Sequence, residues 1–306
     1  MSLILPCSYL LEIKMTDFSP TASVAVNPLS AFMRQPKIYI RLPSQGEFWA
    51  EGSLEVTANG EYPVYSMTAR DELLLKVPDA LMNGQAVVDV IQNCMPNIKN
   101  AWAVPNIDMD VILIAIRLAT YGEMMTTPLT VGNDIDLEYK VDLRIVMDNL
   151  MNTVAWDPVV PVNKDLTIYI RPMDYLQTTK TALQTFETQK LMQVANSETI
   201  DDVEKIRVFK DSFSKLTAVT IDMVGSCIYR VDSSNGSTSN PEFIQQFVNN
   251  MDKTIFNSIQ THLERLRDQN AIKPISVPVT DELRAQGITS DTIEIPLTFD
   301  SSTFFV

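Results

Sequence analysis

The sequence predicts an α+β protein that is predominantly helical, with two pseudo-repeated lobes that each combine short strands with a helical bundle. The first observation behind this prediction is an order of elements that occurs twice: a short extended run, a methionine, helices and a closing Pro-Leu-Thr segment. The first copy runs from Tyr62 to Thr130 and the second from Leu166 to Thr298. The second observation is the helical spacing of apolar residues within each copy. Ancestral duplication and a coincidence of element order both explain the repeat.

Length and composition predict two lobes preceded by an arm. A chain of 306 residues has room for about two domains of roughly 150 residues each. We predict an N-terminal arm over residues 1–36, a first lobe over 37–151, a linker over 152–163, and a second lobe over 164–306 with a Phe-rich tail. The arm mixes Ser, Thr, Ala and Pro with large apolar residues, so it is expected to be mobile or to dock on a partner or on its own lobe.

The first lobe is expected to begin with strands and to continue with helices. Residues 38–42 form a β-type run, and residues 52–60 are typical of strand and turn. Thr68 is the predicted N-cap of an acidic helix start. A second helix is predicted over residues 87–95. The third is apolar almost all round, with Asp108 as its cap and a glycine at its end, so it should lie at the centre of the lobe.

An alternating segment over residues 133–143 predicts a strand with one acidic face. Asp134, Asp136 and Glu138 share that face, and three carboxylates together suggest a divalent-cation site. The favoured alternative is a half-buried strand with a solvated acidic edge, because no EF-hand glycine or terminal Glu spacing accompanies the carboxylates.

The second lobe is predicted to contain three longer helices. The first runs from Asp174 to about Ala195, and the second carries apolar residues at helical spacing from Val203 to Met223. A Ser/Asn/Gly loop is expected over residues 232–240. The third helix begins with an Asn-Pro-Glu start, in which Asn is the N-cap and Pro the first helical residue. It continues as one long apolar stripe over residues 243–266.

Charge and cysteine usage restrict the class of protein. With 24 basic and 38 acidic residues, the net charge is −14 and the sequence pI is about 4.5, which disfavours nucleic-acid and anionic membrane surfaces. Cys7, Cys94 and Cys227 are too far apart for a metal-ligand spacing, and the last two are expected to be buried. No basic signal-peptide region opens the chain, and the longest apolar stretch, residues 111–119, is too short to span a bilayer. We therefore expect a soluble, intracellular protein.

No catalytic motif stands out in the sequence. Carboxylates are plentiful and leave a paired acid/base site open, but no such pair is distinguished from the rest. His262 is the single histidine, and neither a second helical metal ligand nor a nucleophile-elbow sequence accompanies it. No Gly-rich phosphate loop is present in the sequence. The sequence therefore predicts no enzyme, no cofactor and no metal, with a cation-dependent hydrolase that uses the acidic strand as an alternative of another class.

Five short motifs resemble the baseplate hub proteins of T-even-like contractile-tailed bacteriophages, and the likeness covers about residues 37 to 306. The motifs are Leu42-Pro43-Ser44, Ser66-Met67-Thr68-Ala69-Arg70-Asp71-Glu72, Ile116-Arg117-Leu118-Ala119-Thr120-Tyr121-Gly122, Tyr169-Ile170-Arg171-Pro172-Met173, and Pro296-Leu297-Thr298-Phe299-Asp300. Two segments depart from the family pattern, in which Cys-x-x-Cys pairs of zinc-ribbon type can occur. Here Thr126, Thr127 and Thr130 stand in the first segment and Val277 and Val279 in the second. The resemblance therefore implies two hairpins that are held without metal.

The resemblance implies a morphogenetic chaperone or scaffold of the baseplate hub that works with other hub and tail proteins, the tape-measure protein among them. It implies location in the host cytoplasm during assembly or in the virion tail. A permanent structural subunit of the baseplate is the alternative. An assembly factor needs complementary surfaces, and flexible apolar segments suit them. The predicted partner-binding residues are Phe18, Leu29, Phe32, Phe304 and Phe305; the other possibility is that these aromatic residues cap the protein's own lobes.

Overall fold

A computed structural model describes residue 29, residues 32–131, 135–195 and 201–279, residue 284, and residues 290–295 and 297. The chain divides into two compact units, Met1–Arg34 and Gln35–Val306. In the first unit, the backbone N–H of Phe32 donates to the Leu29 carbonyl. The second unit contains helices and small antiparallel sheets, which confirms the α+β prediction. The division of this unit into two lobes stays a prediction.

The elements up to residue 151 surround one helix. They are β1 (Pro36–Ile40), β2 (Tyr62–Tyr65), α1 (Ala69–Leu74), α2 (Pro78–Met82), α3 (Gln85–Cys94), a 3₁₀ turn (Ala101–Ala103), α4 (Asn106–Tyr121), β3 (Met124–Val131), β4 (Ile135–Asp142) and α5 (Leu143–Met151). Strands β1 and β2 pair with each other, as do β3 and β4. Residues 52–60 form turns with a single bridge from Leu54 to Ile98, so the predicted strand in that segment is wrong.

Helix α4 is central, as its apolar sequence predicts. Val111, Ile112, Ile114 and Ile116 are completely buried in the cluster of side chains that we call the first core. Gly122 ends the helix with a φ of 86°, and its N–H donates to the Leu118 carbonyl. A glycine suits this position because side chains are strained at positive φ.

The prediction that Asp108 caps α4 is wrong. Pro105 occupies the cap position, and Asp108 lies in the first turn with its side chain fully buried. The carboxylate accepts hydrogen bonds from the backbone N–H and the hydroxyl of Ser44 and from the indole N–H of Trp49, at 2.8, 2.5 and 2.9 Å. Donors from the loop after β1 thus replace a local capping bond. Burial raises the pKa of Asp108 from 3.8 to about 6 against the lowering effect of these bonds.

The capping box predicted at Thr68 is present and also joins two helices. The Thr68 side chain accepts from the Asp71 N–H, while the Asp71 carboxylate accepts from the Thr68 N–H. Asp71 is buried, and its carboxylate also accepts from the side-chain amide of Asn93 on α3 at 2.7 and 2.8 Å. A local cap therefore doubles as a contact between α1 and α3.

The elements after residue 151 include those that build a second core. They are β5 (Val159–Asn163), β6 (Leu166–Ile170), α6 (Tyr175–Ala195), α7 (Asp202–Cys227), β7 (Ile228–Ser233), β8 (Gly236–Thr238), α8 (Pro241–Asn250), α9 (Lys253–Asn270), β9 (Ile275–Pro278) and β10 (Thr292–Ile295). Strands β5, β6, β7 and β8 form an antiparallel sheet in that order, and β9 pairs with β10. The β7–β8 hairpin occupies much of the segment predicted as a loop. Strand β5 lies in the segment predicted as a linker, and its Pro161 is tolerated on an edge strand.

The predicted single helix over residues 243–266 is wrong, because α8 ends at Asn250 and α9 begins at Lys253. The Asp252 carboxylate accepts from the N–H groups of Thr254 and Ile255 at 2.7 and 3.0 Å and caps the second helix. The break separates two apolar faces, and both contribute to the second core. Its buried members are Val160, Ile168, Ile170, Val224, Ile228, Val231, Ile244, Val248, Ile259 and Leu266.

A junction of backbone and ring contacts joins the starts of α4 and α6. The Asn106 N–H donates to the Met173 carbonyl, and the Tyr175 N–H donates to the Val104 carbonyl, each at 2.9 Å. The rings of Trp102 and Tyr175 stack with centroids 5.6 Å apart. These contacts fix the first core to the second at the first turn of both helices.

Replacing Gly84 with alanine tests this junction. Gly84 precedes α3 at a φ of +80°, and an added Cβ lies 3.2 Å from atoms of Thr179, Trp102 and Tyr175. We expect Gly84→Ala to lower the free energy of unfolding by about 2–4 kcal/mol in urea titrations, from backbone strain and overpacking together. Gly60→Ala is the matched control, since its φ is +71° with no atom within 4 Å, and should cost about 1 kcal/mol. Equal costs would contradict the packing of α6 on this site.

Replacing Asp108 with asparagine tests the buried carboxylate. Because its folded pKa of about 6 exceeds its ordinary value of 3.8, the folded state binds the proton first. The free energy of unfolding should therefore rise as pH falls through about 6, with the gain complete below about 4. Relative to Asp108→Asn, the wild-type protein should gain on the order of 3 kcal/mol over this window. The exposed Asp165→Asn should follow the wild type; an identical pH profile for Asp108→Asn would refute the assignment.

Candidate protein–protein interface

The histidine and the two described cysteines have structural surroundings that account for them. His262 lies on α9, where its Nε2 is 3.0 Å from the Asp157 carbonyl oxygen, so it ties this helix to the segment before β5. Cys94 and Cys227 are buried, as predicted, and burial raises the pKa of Cys227 to about 11. A thiol of high pKa is a poor nucleophile at neutral pH. Cys7 lies outside the described residues.

Two of the three acidic residues of the acidic strand lie in the described part of the chain. Glu138 is exposed on β4, Asp136 pairs in register with Thr130 of β3, and Asp134 lies outside the described residues. In the part of the chain that the structure describes, no group of three or more His, Cys, Asp or Glu is arranged to hold a metal ion. In that same part, no helix is long and apolar enough to cross a membrane. The cation-site hypothesis stays a prediction.

Two of the five predicted partner-binding residues lie in the described part of the chain. Leu29 is 62% exposed and Phe32 is 87% exposed. Phe18, Phe304 and Phe305 lie outside the described residues. A large apolar side chain in water is available for contact, so Leu29 and Phe32 keep their predicted role as candidates.

Motifs that carry the family likeness build the scaffold. The Met67 N–H donates to the Thr120 hydroxyl at 3.0 Å, and that hydroxyl donates to the Ile116 carbonyl at 2.7 Å. The Tyr121 hydroxyl lies 3.3 Å from Glu72 Oε1 and donates to it. The second and third motifs therefore lie against each other, while Ser44 of the first motif binds Asp108. Hydrogen bonds within the protein therefore account for these residues of the motifs.

Helices α6 and α7 pack against each other as a hairpin with an unusual inner face. In its described outer half, residues 186–195 and 201–213, the fully buried side chains are those of Thr188 and Ser212. The Thr188 hydroxyl donates to the Gln184 carbonyl at 2.7 Å within its own helix. Small hydroxyl side chains allow close helix approach but bury little apolar surface.

The hairpin also carries large apolar side chains that are exposed. These residues are exposed by between 47% and 74%, and they are Leu176, Phe186, Leu191, Val203, Ile206 and Phe213. We call this set the hairpin surface. Large apolar side chains that a folded protein leaves exposed are candidates for contact with a partner. The hairpin surface is therefore the candidate protein–protein interface.

The α7 part of the hairpin surface is a helical stripe. Val203, Ile206 and Phe213 follow the spacing that places residues on one helix face. The exposed Thr217 and Thr220 continue this stripe, and their hydroxyls donate to the carbonyls four residues earlier, so neither needs a partner for its proton. Lys210, which is exposed and follows the same spacing, places one positive charge in the middle of the stripe. The other residues of the stripe are apolar or carry hydroxyls that donate within the helix.

Charge also distinguishes the hairpin from the rest of the chain. Residues 175–227 contain six basic and seven acidic residues, a net charge of −1, whereas the whole chain carries −14. Long-range repulsion against another acidic protein is therefore weak at the hairpin.

The sequence predicted both hairpin helices but not their exposed face. Helical spacing across Val203–Met223 contains two stripes, one with Val203, Ile206 and Phe213 and one with the half-buried Phe209, Leu216 and Met223. Plotting the residues around the helix axis separates the stripes. Which stripe faces the protein depends on the position of α6, which spacing along α7 does not contain.

A family model described as T4 bacteriophage base plate protein matches residues 50–282, well over half of the chain. No curated protein and no solved structure matches it. The matched segment includes α4, the junction with α6 and the entire hairpin.

Proposed function

The chain belongs to the T4 bacteriophage base plate protein family, and from this premise we propose that it is an assembly factor of the baseplate hub. Family membership gives it a structural or assembly role in the phage tail baseplate, among other baseplate proteins. The finer role is that of a morphogenetic chaperone or scaffold that acts through protein–protein contacts. The observation that carries this proposal is the hairpin surface, since it offers several large apolar side chains for a partner to cover.

The energetic benefit of covering this surface is substantial. Phe213 is 62% exposed, so a partner removes on the order of 100 Å² of this side chain from water, worth about 2.5 kcal/mol before association costs. A helix laid along the stripe on α7 reaches Val203 and Ile206 as well. Helix-in-groove contacts of this kind use residues at the same spacing.

The ends of the chain supply further proposed contacts. Phe18, Leu29, Phe32, Phe304 and Phe305 are proposed to bind hub proteins or the tape-measure protein during assembly. Exposure of Leu29 and Phe32 supports their part in this set. Segments of this kind can lay aromatic side chains into a partner's groove.

Quantitative mass spectrometry of purified mature phage, alongside the infected-cell lysate, tests the proposed role. A chaperone that leaves after the hub is complete should be abundant in the lysate and absent from the particle. A fixed number of copies in every particle would instead identify a permanent structural subunit of the baseplate. Tail and baseplate proteins measured in the same samples provide the internal reference for copy number.

Replacing apolar residues of the α7 stripe tests whether the hairpin surface binds a partner. We expect the double variant Ile206→Gln, Phe213→Gln to lose co-purification with other baseplate proteins by about tenfold, equivalent to about 1.4 kcal/mol. The free energy of unfolding should change by less than about 0.5 kcal/mol, because both side chains are already exposed. Unchanged co-purification would contradict a role for this face.

Two further chains complete that experiment. Lys215→Gln changes an exposed residue of α7 outside the stripe, and it should leave co-purification unchanged. A chain that lacks residues 1–34 and 298–306 tests the proposed terminal contacts in the same assay. If it co-purifies as the full chain does, Phe18, Leu29, Phe32, Phe304 and Phe305 do not bind the hub proteins.

A further inference from the structure

A cleft of about 1000 Å³ lies between the first turns of α4, the segment that joins β6 to α6, the end of α7 and helix α9. Its walls are largely apolar and include Met109, Met173, Met223, Leu263 and Ile272. Three of these five are methionines, whose unbranched side chains adapt to the shape of a bound partner. The cleft is at the upper end of the volumes found for ligand sites.

One carboxylate in the wall of this cleft lacks compensation. Asp110 lies on α4 and is half-buried, and among the described residues none donates a hydrogen bond to it or forms an ion pair with it. Burial alone raises its pKa to about 6. Asp108, two residues earlier, is fully buried and receives three hydrogen bonds. Asp110 has no such donor among the described residues.

Among the described residues that line the cleft, the one basic residue forms an ion pair with a neighbour outside the lining. Arg267 is on α9, its side chain is 77% exposed, and its Nη2 lies 3.5 Å from Asp268 Oδ1. Glu264 also lines the cleft and adds a second negative charge to it. A half-buried carboxylate that faces an apolar cleft is costly until a cation or donor meets it. The cleft therefore favours an occupant that is apolar with one positive charge.

We propose that this cleft is the docking groove for an apolar segment of another baseplate protein that places a Lys or Arg side chain against Asp110. The groove is lined by residues of the four helices α4, α6, α7 and α9, so a helical segment fits it by the same packing that joins helices in a core. The inference rests on the proposed function only in assigning the occupant to a baseplate protein. The hairpin surface is a separate contact and does not contribute to the groove.

A pair of peptides tests the proposal on the full chain. The first is a fluorescein-labelled, amidated helical peptide of Leu, Ala and Gln with one central Lys, and the second has norleucine in place of that Lys. Fluorescence anisotropy at neutral pH should give the Lys peptide at least tenfold tighter binding, which corresponds to about 1.4 kcal/mol. Asp110→Asn should abolish this preference, whereas Glu264→Gln, at the rim, should retain it. Equal affinity of the two peptides for the wild type, or a preference that survives Asp110→Asn, would overturn the proposal.

Further measurements keep the result interpretable. Asp110→Asn removes an unpaired, half-buried charge, so its melting temperature should equal or exceed that of the wild type; a lower value would overturn the claim that Asp110 lacks a partner.

Ala271→Trp, an exposed position in the lining, should fill the groove and weaken both peptides at least tenfold; unchanged binding would place the peptides elsewhere. Hexylammonium that binds as tightly as the Lys peptide would overturn the protein occupant in favour of a small cation. Self-association that Ala271→Trp abolishes would overturn it in favour of a second copy. Since neither the particle measurement nor the hairpin variants involve this groove, failure here leaves the proposed function standing.

Discussion

The first two turns of α4 hold two other parts of the molecule in place. Asn106 donates its N–H to Met173 and so fixes the entry to α6, while Asp108 binds Ser44 and Trp49 and so fixes the loop after β1. Asp110 faces the cleft. The rest of α4 is buried on nearly every side, so the helix cannot rotate without breaking all of these contacts at once. This constraint sets the relation between the first core and the second.

Local signals in the sequence predicted most element positions well and failed where distant residues decide. Thr68 and Gly122 perform the roles that local rules assign them, because their partners lie within the same helix. Asp108 does not, since its donors come from residues 44 and 49. Asp252 is a residue type that commonly caps a helix, so the break between α8 and α9 had a local signal. The apolar spacing continues across the break, however, and favoured a single helix. The strand β7 was missed because its pairing partner β6 lies far away in sequence.

The candidate interface was less predictable than the fold. Sequence reasoning placed partner contacts at the ends of the chain, where apolar residues stand in segments without periodicity; those contacts stay predictions. In the sequence, the residues of the hairpin surface have the same helical spacing as residues of a buried helix face. Only the position of α6 distinguishes the covered stripe of α7 from the exposed one. The short motifs of the family likeness pointed to scaffold contacts, such as Thr120 with Met67, and so identified the architecture without identifying a binding surface.

The small residues between α6 and α7 make the hairpin an unfinished bundle. Thr188 and Ser212 occupy positions where a three- or four-helix bundle has leucines, and they provide little of the free energy that would hold the two helices together. The outer half should therefore open to hydrogen exchange at a lower free energy than α4 does. In the contact proposed above, a partner helix on the exposed stripe would supply the missing layer of the bundle. Docking and local folding would then be one event.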